Sequence, residues 1–343
     1  MTGGIRGLAD GAIEALVVPS FTKVGFDVRR RLFGWEDLGT VRLDGRVVLI
    51  TGATSGLGLS AGLRLARMGA TLLLVGRNAA KTDAAVEQVS AVADGGAVRG
   101  YLADMSVQAD VRRLASEVRA SEPRLDVLIH NAGALLASRQ ESVDGHEMSV
   151  ATMVFGPFLL TAELMPLLER TAAGEPDARP TRVVFVTSGG MYTQRLDVAT
   201  LEMPADGYRG SVAYARAKRA QVVLTEMLGE RLERRGVVVH AMHPGWSDTP
   251  GVEASLPTFR KALGPLLRSP EQGADTIVWL AASDEPARST GYLWLDRSQR
   301  SAYKLPWTKE PAAERARLWE RCVEATGADP TATATLPADA LDR

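Results

Sequence analysis

The stretch RVVLITGATSGLG, residues 46–58, decides the fold. RVVLIT (46–51) is a short apolar run bounded by Asp44-Gly45 and Gly52, which predicts a strand buried on both faces. The chain then passes through a glycine-rich turn into residues 57–68, whose apolar positions repeat at helical spacing and stop at Gly69. Strand, glycine turn and helix in that order is the setting a dinucleotide pyrophosphate needs. Gly52 makes the tight turn, Gly56 lets phosphate approach the backbone, and Gly58 allows close helix–sheet packing. The helix N-terminus supplies N–H groups and the positive end of its dipole. The spacing is G-x-x-x-G-x-G rather than G-x-G-x-x-G, and a bare strand-to-helix turn also uses glycine.

Outward from this stretch the alternation continues. Apolar runs at 71–76, 97–102, 125–130, 182–188, 236–242 and 291–295 predict strands. Residues 79–93, 106–121, 148–171, 211–235 and 270–282 predict helices. Such alternation predicts an α/β, three-layer Rossmann fold, with a doubly wound, mostly parallel seven-stranded sheet and helices on both faces. Residues 45–300 form this unit, 1–44 a helical, amphipathic extension, and 301–343 a helix at 311–326 with an Ala/Thr/Pro-rich tail expected to be disordered.

The 343 residues carry 40 basic and 41 acidic side chains, a formal net charge of −1 that recruits no nucleic acid. The lone cysteine, Cys322, forms no internal disulfide and suits a reducing compartment, so a cytoplasmic setting is expected. His130, His146 and His240 show no metal-ligand spacing. No run of about 20 apolar residues is present, the length a membrane-crossing helix needs. Residues 5–35 mix an apolar stripe with Phe21, Phe26, Phe33, Trp35 and Arg29-Arg30-Arg31. Two readings stay open for them: peripheral contact with a membrane interface, or packing on the chain's own domain or on a second subunit.

The sharpest chemical pattern is Tyr214-Ala-Arg-Ala-Lys218. Positions i and i+4 share a helix face, and this is the only one of six tyrosines with lysine four residues on, in a chain with six lysines. A neighbouring ammonium favours the phenolate and is expected to draw the pKa of Tyr214 down from about 10, making it a proton donor and acceptor. Ser188 ends a strand at the same carboxyl edge, where its hydroxyl either holds a substrate oxygen beside Tyr214 or caps the next turn. Gly76-Arg77-Asn78 follows the second strand with no acid between Leu72 and Ala80. Arginine there favours the 2′-phosphate of NADP(H) over the free 2′-hydroxyl of NAD(H), unless it is simply solvated. Asp104 either accepts a hydrogen bond from an adenine amino group or N-caps the following helix, and the two roles are compatible. Asn131-Ala132-Gly133 lets a cofactor lie across a strand end or makes a plain strand exit. His243 reads as a turn residue before Pro244-Gly245.

Together TGATSGLG, Asp104, NAG at 131–133, Ser188, Tyr214-x-x-x-Lys218 and Pro244-Gly245 resemble the short-chain dehydrogenase/reductase family over about residues 45–300. SGGM (188–191), YARAKRAQVVLTE (214–226), HPGWSDTPGV (243–252), QGADT (272–276) and the N-terminal extension are similar to one subgroup of it. The resemblance implies hydride transfer between NAD(P)(H) and the alcohol or carbonyl of a small molecule. It makes Tyr214 the general acid, Lys218 the holder of the nicotinamide ribose, and Ser188 the binder of the carbonyl. It places Gly52, Ser55, Gly56 and Leu57 at the pyrophosphate, Arg77 at the 2′-phosphate, Asp104 at the adenine, Asn131 along the adenosine ribose and Thr249 at the carboxamide. It also implies subunit pairing through helices such as 148–171 and 211–235. One departure stands out: with GPFLLT (156–161) aligned, the family's usual asparagine is Met153, whose thioether orders water poorly.

Leu135, Leu136, Trp246, Val252, Leu256 and Phe259 fall in loops expected above the sheet, so an apolar substrate is expected, although lid or core packing also explains them. Two rival functions remain: a nucleotide-binding sensor or scaffold, motivated by Met153, and an epimerase or dehydratase, which the short segment after Thr249 disfavours.

Overall fold

The computed structural model describes residues 5–175, 179–255 and 257–332. Eight strands form one sheet: β1 (Val47–Thr51), β2 (Thr71–Gly76), β3 (Val98–Leu102), β4 (Val127–His130), β5 (Thr181–Val186), β6 (Val237–Met242), β7 (Tyr292–Leu295) and β8 (Ser298–Arg300), in spatial order β3-β2-β1-β4-β5-β6-β7-β8. All neighbours are parallel except β7 and β8. The expected seven strands are therefore eight. The extra one is three polar-leaning residues returned by a tight turn at Asp296 and Arg297, both at φ 54.

The order reverses between β1 and β4, and crevices outside the carboxyl ends of parallel strands form at such a reversal. Ile50 of β1 pairs with Leu74 on one side and Ile129 on the other. Because strand side chains alternate, Val48 and Ile50 face one core and Val47 and Leu49 the other. The first core is covered by α4 (Gly56–Arg67) and α5 (Ala79–Ser90), with α12 (Pro270–Ala282) crossing α4. The second is covered by α6 (Gln108–Ser121), α7 (Met148–Val150) running on into α8 (Gly156–Ala173), and α9 (Gly210–Leu232). Two short helices, α10 (Pro250–Ser255) and α11 (Pro257–Leu263), follow β6 and were not foreseen. Leu256 lies outside the described residues, as do the side chain of Val252 and the tail from residue 333.

Residues 148–173 are continuous helix interrupted by a wide π-type turn over Ala151–Phe155. Contrary to expectation, this helix is long and apolar enough to cross a bilayer, but 78% of its apolar window is buried, as a core helix requires. α13 (Ala312–Thr326) packs against α8 and α9. Trp319 of α13 meets Phe158 edge-on at 5.1 Å and lies under the Arg231 guanidinium at 3.8 Å. The extension folds as α1 (Ile5–Ala15), α2 (Val17–Phe21) and α3 (Lys23–Phe33), whose inner side packs against the rest of the chain.

Candidate active site

The carboxyl ends of the parallel strands β1 to β6 form one rim, and every expected site residue leaves from it or from a helix beside it. At the first turn Gly52 sits at φ +66, and a Cβ there would lie 2.8 Å from the Ala132 Cα. A Cβ on Gly58 would lie 2.5 Å from both the Gly52 carbonyl oxygen and the Asn131 amide nitrogen. Ser55 stands at the N-cap of α4 without a side-chain capping bond, so that side chain leaves the first-turn N–H groups of α4 to other acceptors. Small residues around uncapped amides fit a pyrophosphate.

The Asn131 Nδ2 donates to the carbonyls of Thr51 (3.0 Å) and Gly52 (2.9 Å), so the side chain braces the glycine turn. Thr51, which opens the TGATSGLG turn and had no role assigned from sequence, completes the brace by accepting from the backbone N–H of Asn131 and Ala132 at 3.1 and 3.2 Å. Arg77 is exposed just beyond β2 and has no partner among the described residues. Asp104 does not cap α6, which begins at Gln108 with Val107 as its N-cap; its Oδ1 instead accepts from the N–H and hydroxyl of Ser106.

Ser188, Tyr214 and Lys218 come together. Ser188 follows β5; its hydroxyl accepts from the Gly190 N–H at 3.3 Å and lowers the pKa of the neighbouring Tyr214 hydroxyl. On α9 the Lys218 Nζ lies 5.5 Å from the centre of the Tyr214 ring and donates to the Val186 carbonyl at 2.7 Å. Thr187 Oγ1 in turn donates to the Lys218 carbonyl at 2.9 Å, tying α9 to the end of β5. Gly133 faces the same point, since a Cβ there would lie 3.5 Å from Lys218 Nζ and 3.1 Å from Met153 Sδ.

The electrostatics correct one expectation. Burial raises the pKa of Tyr214, against the lowering effect of the Ser188 hydrogen bond, and burial brings Lys218 down to about 7. An ammonium taken out of water loses more than a carbonyl contact returns, so Lys218 does not arrive as the permanent cation its spacing suggested. His243 is fully buried, and burial brings it down to about 3, so its ring is neutral near pH 7. It is a structural turn residue, as read from sequence.

Met153 lies in the π-type turn with its side chain wholly buried. Its carbonyl accepts from Gln221 Nε2 at 2.8 Å, a contact with no signal in the sequence. Opposite, Gly245 sits at φ +70 beside Pro244, and Trp246 meets Phe259 edge-on at 5.2 Å. A Cβ on Gly56 would come 3.5 Å from Thr249 Cβ, which closes the rim between the glycine turn and the 243–249 loop. Leu135, Leu136, Trp246 and Phe259 are half-buried. Among the described residues no cluster of three metal-ligating side chains occurs.

This arrangement has close counterparts. The short chain dehydrogenase family model matches residues 46–258. The chain is 35% identical over 304 residues to Dehydrogenase/reductase SDR family member 12 of Bos taurus, covering 88% of this chain and 92% of that protein. It is 30% identical over 295 residues to Retinol dehydrogenase 13 of Homo sapiens, covering 83% and 86%. The solved Pseudomonas aeruginosa RhlG/NADP active-site complex superposes with a TM-score of 0.61 at 27% identity, over 74% of this chain and 94% of that one. The chain belongs to the short-chain dehydrogenase/reductase family of NAD(P)-dependent oxidoreductases.

Proposed function

We propose that the protein interconverts an alcohol and a carbonyl on a small lipophilic molecule, with NADP(H) as the hydride carrier and Tyr214 as the acid and base. The observation that carries this reading is Tyr214 with the Nζ of buried Lys218 5.5 Å from its ring centre and Ser188 acting on its hydroxyl, all at the carboxyl rim of the sheet. NADPH supplies the hydride when bound. The glycine turn from Gly52 to Gly58 holds its pyrophosphate, and Lys218 and the Pro244–Thr249 loop its nicotinamide half.

In the reductive direction the substrate oxygen accepts hydrogen bonds from the Ser188 and Tyr214 hydroxyls. As that oxygen gains negative charge, Tyr214 gives it the phenolic proton and is left as a phenolate, which Lys218 stabilises. In the oxidative direction Tyr214 takes the proton back. Buried His243 does not share this work, because burial keeps its ring neutral and makes it a poor proton acceptor near pH 7. Arg77, exposed and unpartnered, supports a bidentate grip on the 2′-phosphate, and the RhlG complex is named with NADP. The half-buried apolar residues over the rim, and a relative named for retinol, support a lipophilic substrate. Met153 favours a second reading, a weakly catalytic nucleotide sensor.

The test is Tyr214→Phe in an NADPH-linked screen of lipophilic aldehydes, ketones and alcohols. Turnover falls at least about 10³-fold, the scale of a lost general acid, while NADPH affinity stays unchanged and exceeds that for NADH. Undiminished turnover sinks the mechanism, and binding without turnover in the wild type favours the sensor.

The extension's outer side bears exposed Leu8, Leu16, Val17, Val18, Val24 and Val28 with exposed Arg6, Lys23, Arg30 and Arg31. The acids of α1, Asp10 and Glu14, are turned inward to Arg29, Arg300 and Lys304. This sorting supports peripheral contact with an anionic membrane face in a reducing compartment such as the cytoplasm. Sedimentation with phosphatidylcholine/phosphatidylserine vesicles checks it: wild type co-sediments, and a Leu16→Glu, Val17→Glu, Val18→Glu variant stays in the supernatant. A variant that still pellets rules this face out.

A further inference from the structure

The family match begins at residue 46, yet the segment before it reaches the candidate site. We propose that Phe21 is a positioning residue, fixing the 243–249 loop against the Ser188 turn and so setting where the nicotinamide half of the cofactor lies. This rests on the NADP(H) reading above.

Phe21 ends α2 and is only 3% exposed. Its carbonyl accepts from the Trp246 N–H at 2.7 Å, a backbone bond directly into the 243–249 loop. Its ring stands edge-on to His243 at 4.7 Å and to Trp246 at 5.7 Å. On the other side the ring closes on the Ser188 turn, where a Cβ on Gly189 would lie 2.8 Å from Phe21 Cε2. One side chain thus fills the gap between the turn that carries Ser188 and the loop that carries Pro244, Gly245 and Thr249. Edge-to-face contacts continue from Trp246 to Phe259 of α11, so the position of Phe21 is passed to the helices over the rim.

The backbone around Phe21 is fixed by charge. Arg29 of α3 is fully buried, binds Asp10, Glu14 and Asp296, and donates to the Ser20 carbonyl at 3.0 Å. Arg268, also buried, shares Asp296 and donates to the carbonyls of Ser20 (2.9 Å), Thr22 (3.2 Å) and Pro244 (3.2 Å). Its own backbone brackets the loop: the Arg268 N–H donates to the Trp246 carbonyl, and the Arg268 carbonyl accepts from the Asp248 N–H, both at 2.8 Å. A strap that merely covered apolar surface would not need two buried guanidiniums, which are costly to desolvate unless fully paired. Here their donors converge on the peptide groups either side of Phe21 and on the loop it touches. Gly245 leaves no room for slippage, because a Cβ there would lie 2.4 Å from Arg268 Nε and 2.6 Å from the Phe21 carbonyl oxygen.

Two ligands separate positioning from mere stabilisation. 2′,5′-ADP occupies only the adenosine half of the site, whereas NADPH also places its nicotinamide at the 243–249 loop. In full-length Phe21→Ala, the NADPH dissociation constant rises about tenfold and the emission enhancement of bound nicotinamide is lost, while that for 2′,5′-ADP stays within about twofold. Phe21→Leu, which keeps the apolar volume and guards against misfolding, shifts NADPH about threefold in the same direction. Equal weakening of both ligands with a lowered Tm would make the segment a structural strap and overturn the proposal. Unchanged binding of both ligands overturns it too. Failure of the wild type to bind either ligand removes the cofactor reading itself, and this inference with it.

Discussion

At the scale of single residues, Lys218 shows how function and stability pull apart. It was legible from spacing alone, because i and i+4 on a helix face are neighbours and lysines are scarce in this chain. Its electrostatics were not legible, because they depend on burial beside Val186 and Thr187, which precede it by some thirty residues. Burial brings Lys218 to about 7 from an ordinary 10.5. Between those values the unfolded chain binds a proton that the folded one does not, so this residue makes stability climb as pH rises from about 7 to 10.5. Below pH 7 the full cost of burying the ammonium is present. Replacing Lys218 by Met removes that cost but leaves the Val186 carbonyl without its donor, which costs about 1–3 kcal/mol. The expected net is a variant roughly 1–3 kcal/mol more stable at pH 7, without turnover, and lacking the wild-type rise in stability between pH 7 and 9. Urea unfolding at those two pH values checks it. A variant less stable than wild type at pH 7 would mean that the ammonium is satisfied in the fold.

At the scale of elements, the strands and long helices could be read because their apolar periods are strong. β2 and α12 were located to the residue. What escaped was short or non-local. β8 is Ser-Gln-Arg, too short and polar to signal a strand; it exists because Asp296, turned inward at φ 54, meets Arg29 and Arg268. Both partners are far from it in sequence. The π-type turn at Met153 likewise takes a long-range contact from α9, through Gln221. Asn131 and Asp104 were placed on the right strand ends, yet their side chains serve neighbouring backbone and Ser106. The β1–α4 turn is where local and tertiary demands coincide. Gly58→Ala would bring a methyl to 2.5 Å from the Gly52 carbonyl and the Asn131 amide, both held by the brace to Thr51. One neighbour is backbone and the other a side-chain end tethered by two hydrogen bonds, so β1 and α4 must part. The expected cost is about 1–3 kcal/mol of stability with a matching loss of NADPH affinity. Thermal melts and NADPH titration on the same preparation measure both. Ala tolerated without loss in either would show that the turn is not held to its close packing.

At the scale of the whole molecule, the charge ledger is set by what the two cores enclose. His130 lies between the sheet and α8, its Nε2 2.8 Å from the Thr161 hydroxyl, and burial brings it to about 3. His243 is brought to about 3 beneath Phe21. His240, lowered mainly by burial, donates from Nε2 to the Pro286 carbonyl and accepts at Nδ1 from the Trp294 indole, so protonating it breaks a bond. In the unfolded chain these rings protonate near 6.5. Below that pH the unfolded state therefore binds more protons than the folded one, and stability falls as pH falls. Each fully buried histidine contributes about 1.4 kcal/mol per pH unit once the unfolded ring is charged. His130 and His243 together remove about 2–3 kcal/mol between pH 6 and pH 5. Glu122 and Glu226, whose carboxyls burial raises, act in the opposite sense and lighten that slope. The carboxylates paired to arginine, Asp10, Asp126 and Asp296, sit below the usual range and add their losses only at lower pH. Urea unfolding at pH 7, 6 and 5 measures this net slope, and a histidine variant isolates one ring's share. His130→Gln, which keeps a polar partner for Thr161 without a titrating ring, removes about half of the loss between pH 6 and 5. A flat profile in the wild type would mean that these rings take up protons in the folded state, and would reopen His243 as a proton carrier at the site.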